Sequence, residues 1–253
     1  MIRALLRNAG VDPRRIASAV ADWRRYARDR AAYRRMASGT ALPWGLEMPI
    51  LGEHDLPGGT AGPYFQQDLI VARWIHEHRP ERHVDVGSRI DGFVGHLAVF
   101  REVDVLDIRP PSSRIPNVRF HGVDIMQELP APWTDCTDSL SCLHSIEHFG
   151  LGRYGDPIDP EGHLKGLRQL KRMLKKRGTL YLSTLVGEER VEFNAHRVFA
   201  QRTVADWFAG SWSIERSALV DSAGEVQSFD SAQGLAAPCA DLSIAIVAAR
   251  KTS

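Results

Sequence analysis

Apolar and polar positions change rhythm several times along this chain, and each change predicts an element. Behind Asp12-Pro13, Ile16, Val20, Trp23 and Ala27 recur at helical spacing, with arginines filling much of the remaining surface. Asp12 suits an N-cap and Pro13 a first helical position, so a basic amphipathic helix is expected to about Met36. Residues 37–63 carry Pro43, Pro49, Pro57, Gly58, Gly59, Gly62 and Pro63 and read as a connecting loop able to cover a site. Leu69, Ile70, Trp74 and Ile75 set a helix over 64–78, which Pro80 ends. Short apolar runs at 84–86, 103–106, 118–121, 139–143, 179–184, 213–220 and 241–249 then predict strands. Helices are expected between them at 93–100, 162–174 and 203–208. The second of these is closed by Lys175-Lys176-Arg177-Gly178, with cations at the negative end of the dipole and a glycine cap. Seven strands alternating with helices predict an α/β fold: a doubly wound, seven-stranded, mostly parallel sheet with helices on both faces. The expected division is a basic helical arm and Pro/Gly-rich loop over 1–62 and an α/β domain over 63–253.

Charge changes the reading of the arm. The net charge of the 253 residues is +1, but residues 1–36 hold ten arginines against Asp12, Asp22 and Asp29. That local +7 leaves −6 for the rest. The arm is read either as a helix packing on the main domain or as a peripheral contact with an anionic membrane surface. No aromatic-basic recognition module is visible, so no nucleic acid partner is expected. The three cysteines, Cys136, Cys142 and Cys239, are odd in number and form no CxxC pair, which fits a reducing cytoplasm. Residues 1–10 are too short and too interrupted by Arg3 and Arg7 for a signal peptide, and no run is long enough to span a membrane. The expectation is a cytoplasmic protein, with the inner face of the membrane as the place of any peripheral contact.

Chemistry enters at HVDVGSRIDG (83–92) and VDVLDIR (103–109). Strand, glycine turn, helix, strand and acidic tip form a nucleotide-cradle layout, with Asp107 20 residues after Gly87. Three acids lie near strand ends: Asp85, Asp107 and Asp124. A carboxylate at the second strand's tip can accept both ribose hydroxyls, and one beyond the third can receive an adenine amino group. Strand-end aspartates can instead cap the next helix. A nicotinamide dehydrogenase would want G-x-G-x-x-G, which GSRIDG breaks at Arg89.

DVGSRIDG, LDIR, FHGVDIMQELP, DSLSCLHSIEHFG and LKGLRQLKRMLKKRGTLYLS resemble, in order and spacing, the successive motifs of class I S-adenosylmethionine-dependent methyltransferases. The resemblance covers roughly residues 64–220. More narrowly, PYFQQDL, HVDVGSRIDGF, LHSIEHFGLGRYGDPIDPEG and FNAHRVF resemble a largely uncharacterised methyltransferase-like family of bacteria and nematodes, whose bacterial members often accompany surface-polysaccharide enzymes. The resemblance implies a Rossmann-like fold and S-adenosyl-L-methionine as cofactor. Asp85, Gly87 and Ser88 would face the methionine moiety, Asp107 would bind the ribose, and Asp124 with Ile125 would frame the adenine. This sequence departs from the family's D-x-G-x-G-x-G turn, because Arg89 and Asp91 replace two glycines. Arg89 either reaches the cofactor carboxylate as a charge-assisted pair or narrows the cradle so that the cofactor is lost, unless Arg89–Asp91 and Gly92 simply reshape the turn.

The segment 144–163 is dense in titratable groups. His144-x-x-Glu147-His148 matches an inverted zinc-protease motif, but that motif needs a long helix, and here a strand precedes it and Gly150 and Gly152 follow. No metal site is therefore expected. Methyl transfer to an alcohol asks for in-line placement and a general base, for which the candidates are His144, His148 and His196. Glu147 orients His144 or the adenine-side loop, or makes a structural bond. Arg153, Tyr154, Asp156 and Arg197 are the candidate acceptor contacts, although Asp156, which precedes a proline, can equally be a turn residue, His196-Arg197 a solvated loop, and His148 a backbone contact that fixes the turn. The leading expectation is an O-methyltransferase acting on a small-molecule or glycan acceptor, specifically a sugar hydroxyl of a surface polysaccharide or its precursor. The competing one is a non-catalytic binding or scaffold protein with an altered cofactor loop.

Overall fold

The computed structural model describes residues 13–36, 47, 49–51, 62–236 and 242–252. The predicted N-cap Asp12, most of the loop over 37–63, Cys239 and Asp241 lie outside the described residues. The chain divides into two compact units, 1–60 and 61–253. In the first, α1 (Pro13–Met36) forms where the arginine-rich pattern predicts it. Val20 and Trp23 of its apolar stripe are exposed. Arg30 and Arg34 both pair with Glu47.

The second unit begins with α2 (Pro63–His78), whose proline occupies the first helical position. Strands β1 (His83–Val86), β2 (Val103–Asp107), β3 (Val118–Gly122), β4 (Thr137–Leu143) and β5 (Leu174–Val186) are all parallel to their neighbours, in the order β3-β2-β1-β4-β5. The chain thus starts in the middle of the sheet and winds outward both ways, so connections diverge between β1 and β4. The sheet continues through β10 (Ser243–Lys251), antiparallel to both β5 and β8 (Trp212–Val220), and ends at β9 (Val226–Phe229). It is doubly wound and mostly parallel, as expected, but has eight strands rather than seven. The eighth, β9, is an edge strand with mostly exposed residues, so its apolar alternation is weak. A small separate hairpin pairs β6 (Arg190–Glu192) with β7 (His196–Val198).

Helices cover both faces because successive strand residues point to opposite sides. In β5, Leu180 and Leu182 join one core with Val84, Leu140 and α4 (Gly162–Met173), while Tyr181 joins the other with α2. On α4, Gly162, Gly166, Leu170 and Met173 repeat at helical spacing and are buried. A Cβ at Gly166 would come within 2.5 Å of the Phe149 ring. Glycine here lets the loop after β4 lie directly on the helix.

Two helix expectations need correction. The helix predicted over 93–100 begins earlier, as a π-turn (Ile90–Val94), and continues as α3 (Gly95–Ala98). The turn is wide because Asp68 of α2 packs beneath it; a Cβ on Gly92 would lie 2.4 Å from Asp68 Oδ2. The second concerns Lys175–Gly178, expected to close α4 with a glycine cap. Leu174 is already extended and paired with Thr137, and Arg177, not Gly178, adopts positive φ. Gly178 serves close approach instead, since a Cβ would meet Leu174 Cδ2 at 2.8 Å. The remaining helix, α5 (Gln201–Asp206), lies two residues before its predicted start.

Candidate active site

A buried polar chain holds the turn after β1. Ser141 Oγ donates to Asp85 Oδ1 at 2.5 Å, and Ser88 Oγ donates to the same oxygen at 2.6 Å. The Ser88 N–H donates to Asp85 Oδ2 at 3.0 Å, and the Leu143 N–H donates to Ser88 Oγ at 3.0 Å. Ser141 gives its single proton to Asp85, so His83 Nε2, 3.0 Å away, must be the donor to Ser141 Oγ. His83 Nδ1 then accepts from Ser139 Oγ at 2.7 Å. Burial pushes the His83 pKa well below its ordinary value, in keeping with a neutral ring. Burial likewise raises the Asp85 carboxyl to about 6, against the pull of its hydrogen bonds. The resemblance sets Asp85 and Ser88 against the methionine moiety. Here Asp85 is fully buried and does not line the cavity above. It shapes the turn from below, while Ser88 reaches the cavity wall.

That cavity, about 690 Å³, opens at the carboxyl ends of β1 to β4, where the winding reverses. Ligands of open α/β sheets collect at such switch points, and the volume falls within the range of about 300–1,000 Å³ for small-molecule sites. Gly87 forms its floor with φ +68, and a Cβ there would meet Ser145 Oγ at 3.0 Å. Conformation and space both require glycine. Asp107 and Asp124 line the wall, with Ile108 and Ile125 beside them. Asp107 Oδ1 accepts the Arg109 N–H at 2.7 Å, and Asp124 Oδ1 accepts the Met126 N–H at 2.9 Å. Each carboxylate therefore organises its own turn through one oxygen, and Gln127 Nε2 comes to 3.4 Å from the other oxygen of Asp124.

Arg89 is exposed and ion-paired with Asp91 at 3.1 Å, and its guanidinium lies 5.9 Å from the Tyr64 ring centroid. It forms part of the cavity wall without filling the cavity.

The far wall belongs to the loop after β4. His144 has φ +54, and its N–H donates to the Ser183 carbonyl of β5 at 3.1 Å. Its Nδ1 hydrogen-bonds Glu147 Oε1. Glu147 is fully buried, and Thr184 Oγ1 donates to its Oε2 at 3.2 Å. Burial by itself would raise the Glu147 carboxyl, but the neighbouring His144 imidazole holds it below its ordinary value. With Nδ1 tied to Glu147, His144 Nε2 is buried without a protein partner among the described residues. His144 lines the cavity, and the Tyr64 ring stacks on it with centroids 4.6 Å apart. His148 also lines the cavity; its Nδ1 donates to the Ala195 carbonyl at 2.7 Å, and burial lowers its pKa. The motif forms only a 3₁₀ turn (Ile146–His148), yet one ligand atom each from His144, Glu147 and His148 falls within 4.8 Å of the others.

Other candidates take different places. His196, expected over the same edge, does not line the cavity. It sits opposite Glu192 in the β6–β7 ladder, and Nε2 lies 3.1 Å from that carboxylate. The next residue faces the other way: Arg197 is buried and donates to the carbonyls of Glu147, Phe149, Asp159 and Pro160 at 2.7–3.3 Å. It staples the loop rather than offering itself to an anion. Asp156 lines the cavity, but its carboxylate accepts the N–H groups of Gly150, Gly152 and Tyr154 at 2.8–3.2 Å. Tyr154 lines the cavity, and Arg153 Nη1 donates to the Ala195 carbonyl at 3.0 Å. Sequence reasoning passed over the Tyr64 stack and the Thr184 contact. PYFQQDL and the end of β5 carried them without any local signal of their role.

A family model described as "Caenorhabditis protein of unknown function, DUF268" matches residues 117–228. The match starts just before β3, so it takes in the loop after β4 and the hairpin but not the glycine turn. It agrees with the resemblance to a family of bacteria and nematodes. No curated protein matches the sequence. Among solved structures, the N-methyltransferase NodS from Bradyrhizobium japonicum WM9, in complex with S-adenosyl-L-homocysteine, superposes with a TM-score of 0.50 at 13% identity, covering 74% of this chain and 86% of that one. A second NodS structure from that organism gives 0.50 at 14% identity, covering 76% and 98%. The fold is that of the class I methyltransferases. No helix among the described residues is long and apolar enough to cross a membrane.

Proposed function

We propose that this chain is an S-adenosylmethionine-dependent O-methyltransferase. The observation that carries the reading is the pairing, in one cavity, of a glycine-floored switch-point cradle with a buried imidazole. His144 lines it with Nε2 buried and unpartnered among the described residues, and Glu147 holds its other nitrogen. The residues fit the cofactor. Gly87 permits close backbone approach, Asp107 suits the ribose hydroxyls, and Asp124 with Ile125 suits the adenine edge and face. When bound, S-adenosylmethionine supplies an electrophilic methyl on a sulfonium that leaves as a neutral thioether.

The chain's own residues supply the rest. His144 Nε2 takes the proton of the acceptor hydroxyl. Glu147, ionised and buried, fixes the Nδ1–H tautomer and offsets the charge the ring gains. Tyr64, packed on His144, closes one side of the reacting point. Retained binding is supported over the scaffold reading because Arg89 is drawn aside by Asp91. The resemblance to a family that accompanies surface-polysaccharide enzymes supports a glycan hydroxyl as acceptor. Labelled-methyl transfer onto sugars, nucleotide sugars and lipid-linked glycans tests this directly, with incorporation expected on at least one class and none on any class contradicting the reading.

One observation favours a second reading of the same centre. The clustered ligand atoms of His144, Glu147 and His148 could hold a divalent cation, with His148 Nδ1 and Glu147 Oε2 already fixed by outer contacts. Chelation decides between the two. An unchanged rate supports His144 as the free base, while a loss restored by one divalent ion supports a metal. The basic arm supports a peripheral membrane role. Removing residues 1–36 should weaken binding to vesicles rich in anionic lipid, and equal binding of the two forms would contradict that role.

A further inference from the structure

Two exposed arginines flank one cavity-lining ring without an ion pair among the described residues. Arg109 follows β2 and lines the cavity, and its guanidinium carbon lies 4.3 Å from the Tyr154 ring centroid. The Arg153 guanidinium carbon lies 5.1 Å from the same centroid. Arg153 donates one N–H to the Ala195 carbonyl, and four of its five donors find no protein acceptor among the described residues. Neither arginine has a carboxylate within ion-pair distance among those residues. The nearby acids are engaged elsewhere: Asp91 with Arg89, Asp156 with three backbone N–H groups, Asp159 with Lys165, and Asp107 Oδ1 with the backbone of Arg109.

This cationic pair is tied to the reacting point through His148. The His148 and Tyr154 rings lie 5.4 Å apart, and His148 and Arg153 share the Ala195 carbonyl oxygen. Two like charges held against one ring repel each other, and an oxyanion bound to either would offset that. Guanidinium forks match phosphate and carboxylate geometry, and a stacked fork loses little freedom on binding.

We propose that Arg109, Tyr154 and Arg153 form a subsite for an oxyanion, phosphate or carboxylate, carried by the acceptor whose hydroxyl meets His144. The acceptor is then a charged sugar, such as a phosphorylated or nucleotide-linked sugar or a uronic acid, and not a neutral one. What the anion is attached to rests on the methyltransferase reading; the anion site itself does not.

Calorimetric titration of the full chain, with and without S-adenosylhomocysteine, tests the subsite using pyrophosphate, glucuronate and methyl glucoside as probes. At least one anion should bind, about tenfold or more tightly than methyl glucoside. Pyrophosphate alone assigns phosphate, and glucuronate alone assigns carboxylate. Arg153→Gln and Arg109→Gln should each weaken that binding about tenfold or more, the scale of a lost charge-assisted hydrogen bond. Arg153→Lys should recover only part of it. Variants that bind the anion as the wild type does, or methyl glucoside binding as well as both anions, would overturn the subsite. Failure of S-adenosylhomocysteine alone to bind would overturn the methyltransferase reading, with the anion titration still judging the subsite.

Discussion

The two walls of the cavity are built in different ways. On one side, Asp107 and Asp124 sit at or just past the tips of parallel strands, each accepting a backbone N–H two residues on, and Gly87 follows β1 with its N–H on the Leu106 carbonyl of β2. On the other, the loop from His144 to Asp156 has little regular structure. It is held by distant partners: Arg197 on four carbonyls, Ala195 on His148 and Arg153, Thr184 on Glu147, and the α4 glycines beneath Phe149. The first wall is a scaffold that a common fold provides. The second belongs to this chain, and it carries the groups that would meet an acceptor. Changes at the first should therefore alter cofactor affinity, and changes at the second should alter turnover and local stability.

The comparison breaks most sharply at His144. His144→Gln should lower kcat by about 10²–10⁴-fold, the usual contribution of a general base, with S-adenosylhomocysteine affinity nearly unchanged. An equal loss in affinity and turnover would mean that the loop and the cradle are one unit. Arg197→Leu should come next. It strips a buried donor from four carbonyls, at about 1–3 kcal/mol for each group left unsatisfied, tempered by water entry. Urea unfolding should show the loss. Protease cleavage should concentrate in 144–160, and uniform loss of resistance across the chain would contradict the staple role.

A smaller effect is expected at the cradle. Asp107→Ala should weaken S-adenosylhomocysteine binding about tenfold or more, as for hydrogen bonds to a charged group, while leaving the fold intact. Equal binding would remove the ribose assignment. The smallest effect concerns pH. Asp85 in the folded chain titrates near 6, above its ordinary unfolded value of about 3.9. Between these values the folded state holds the proton that the unfolded state has lost. This group therefore favours folding at about pH 4 and loses that contribution as pH rises through 6. His83 works in the opposite sense, because its depressed pKa costs stability as pH falls below about 6.5, where the unfolded ring protonates. Asp85→Asn should therefore steepen the net acid destabilisation between pH 6 and 4 in thermal melts. A slope identical to the wild type would show that Asp85 is not the titrating group.

Legibility in the sequence follows the same division. All seven expected strands exist: β1, β2, β4, β5 and β10 show as apolar runs because they are largely buried on both faces, while the exposed β3 and half-exposed β8 show through apolar–polar alternation. Asp107, Asp124 and Gly87 were readable because strand, turn and tip are close in sequence. Arg89 was harder. Its replacement of a glycine suggested either a ligand contact or a blocked cradle, and the exposed pair with Asp91 could not be chosen over these from spacing alone. His196 and Arg197 were misplaced because β6 and β7 are only three residues each, too short to declare their alternation. Once the hairpin is known, the period of two sends His196 to Glu192 and Arg197 inward. Asp156 could be read as an acceptor contact or as a turn residue, and its oxygens bind three N–H groups of its own loop. β9 hid because VQSF is short and exposed and lacks the apolar–polar alternation by which the other edge strand, β3, shows itself.

The central claim is that the switch-point cradle accepts an adenosyl cofactor despite Arg89. Titrating the full chain with S-adenosylhomocysteine in a calorimeter, with a thermal melt on the same sample, tests it most directly. The account predicts one-site binding and a melting temperature that rises with ligand concentration. No heat and no shift at millimolar ligand would contradict it.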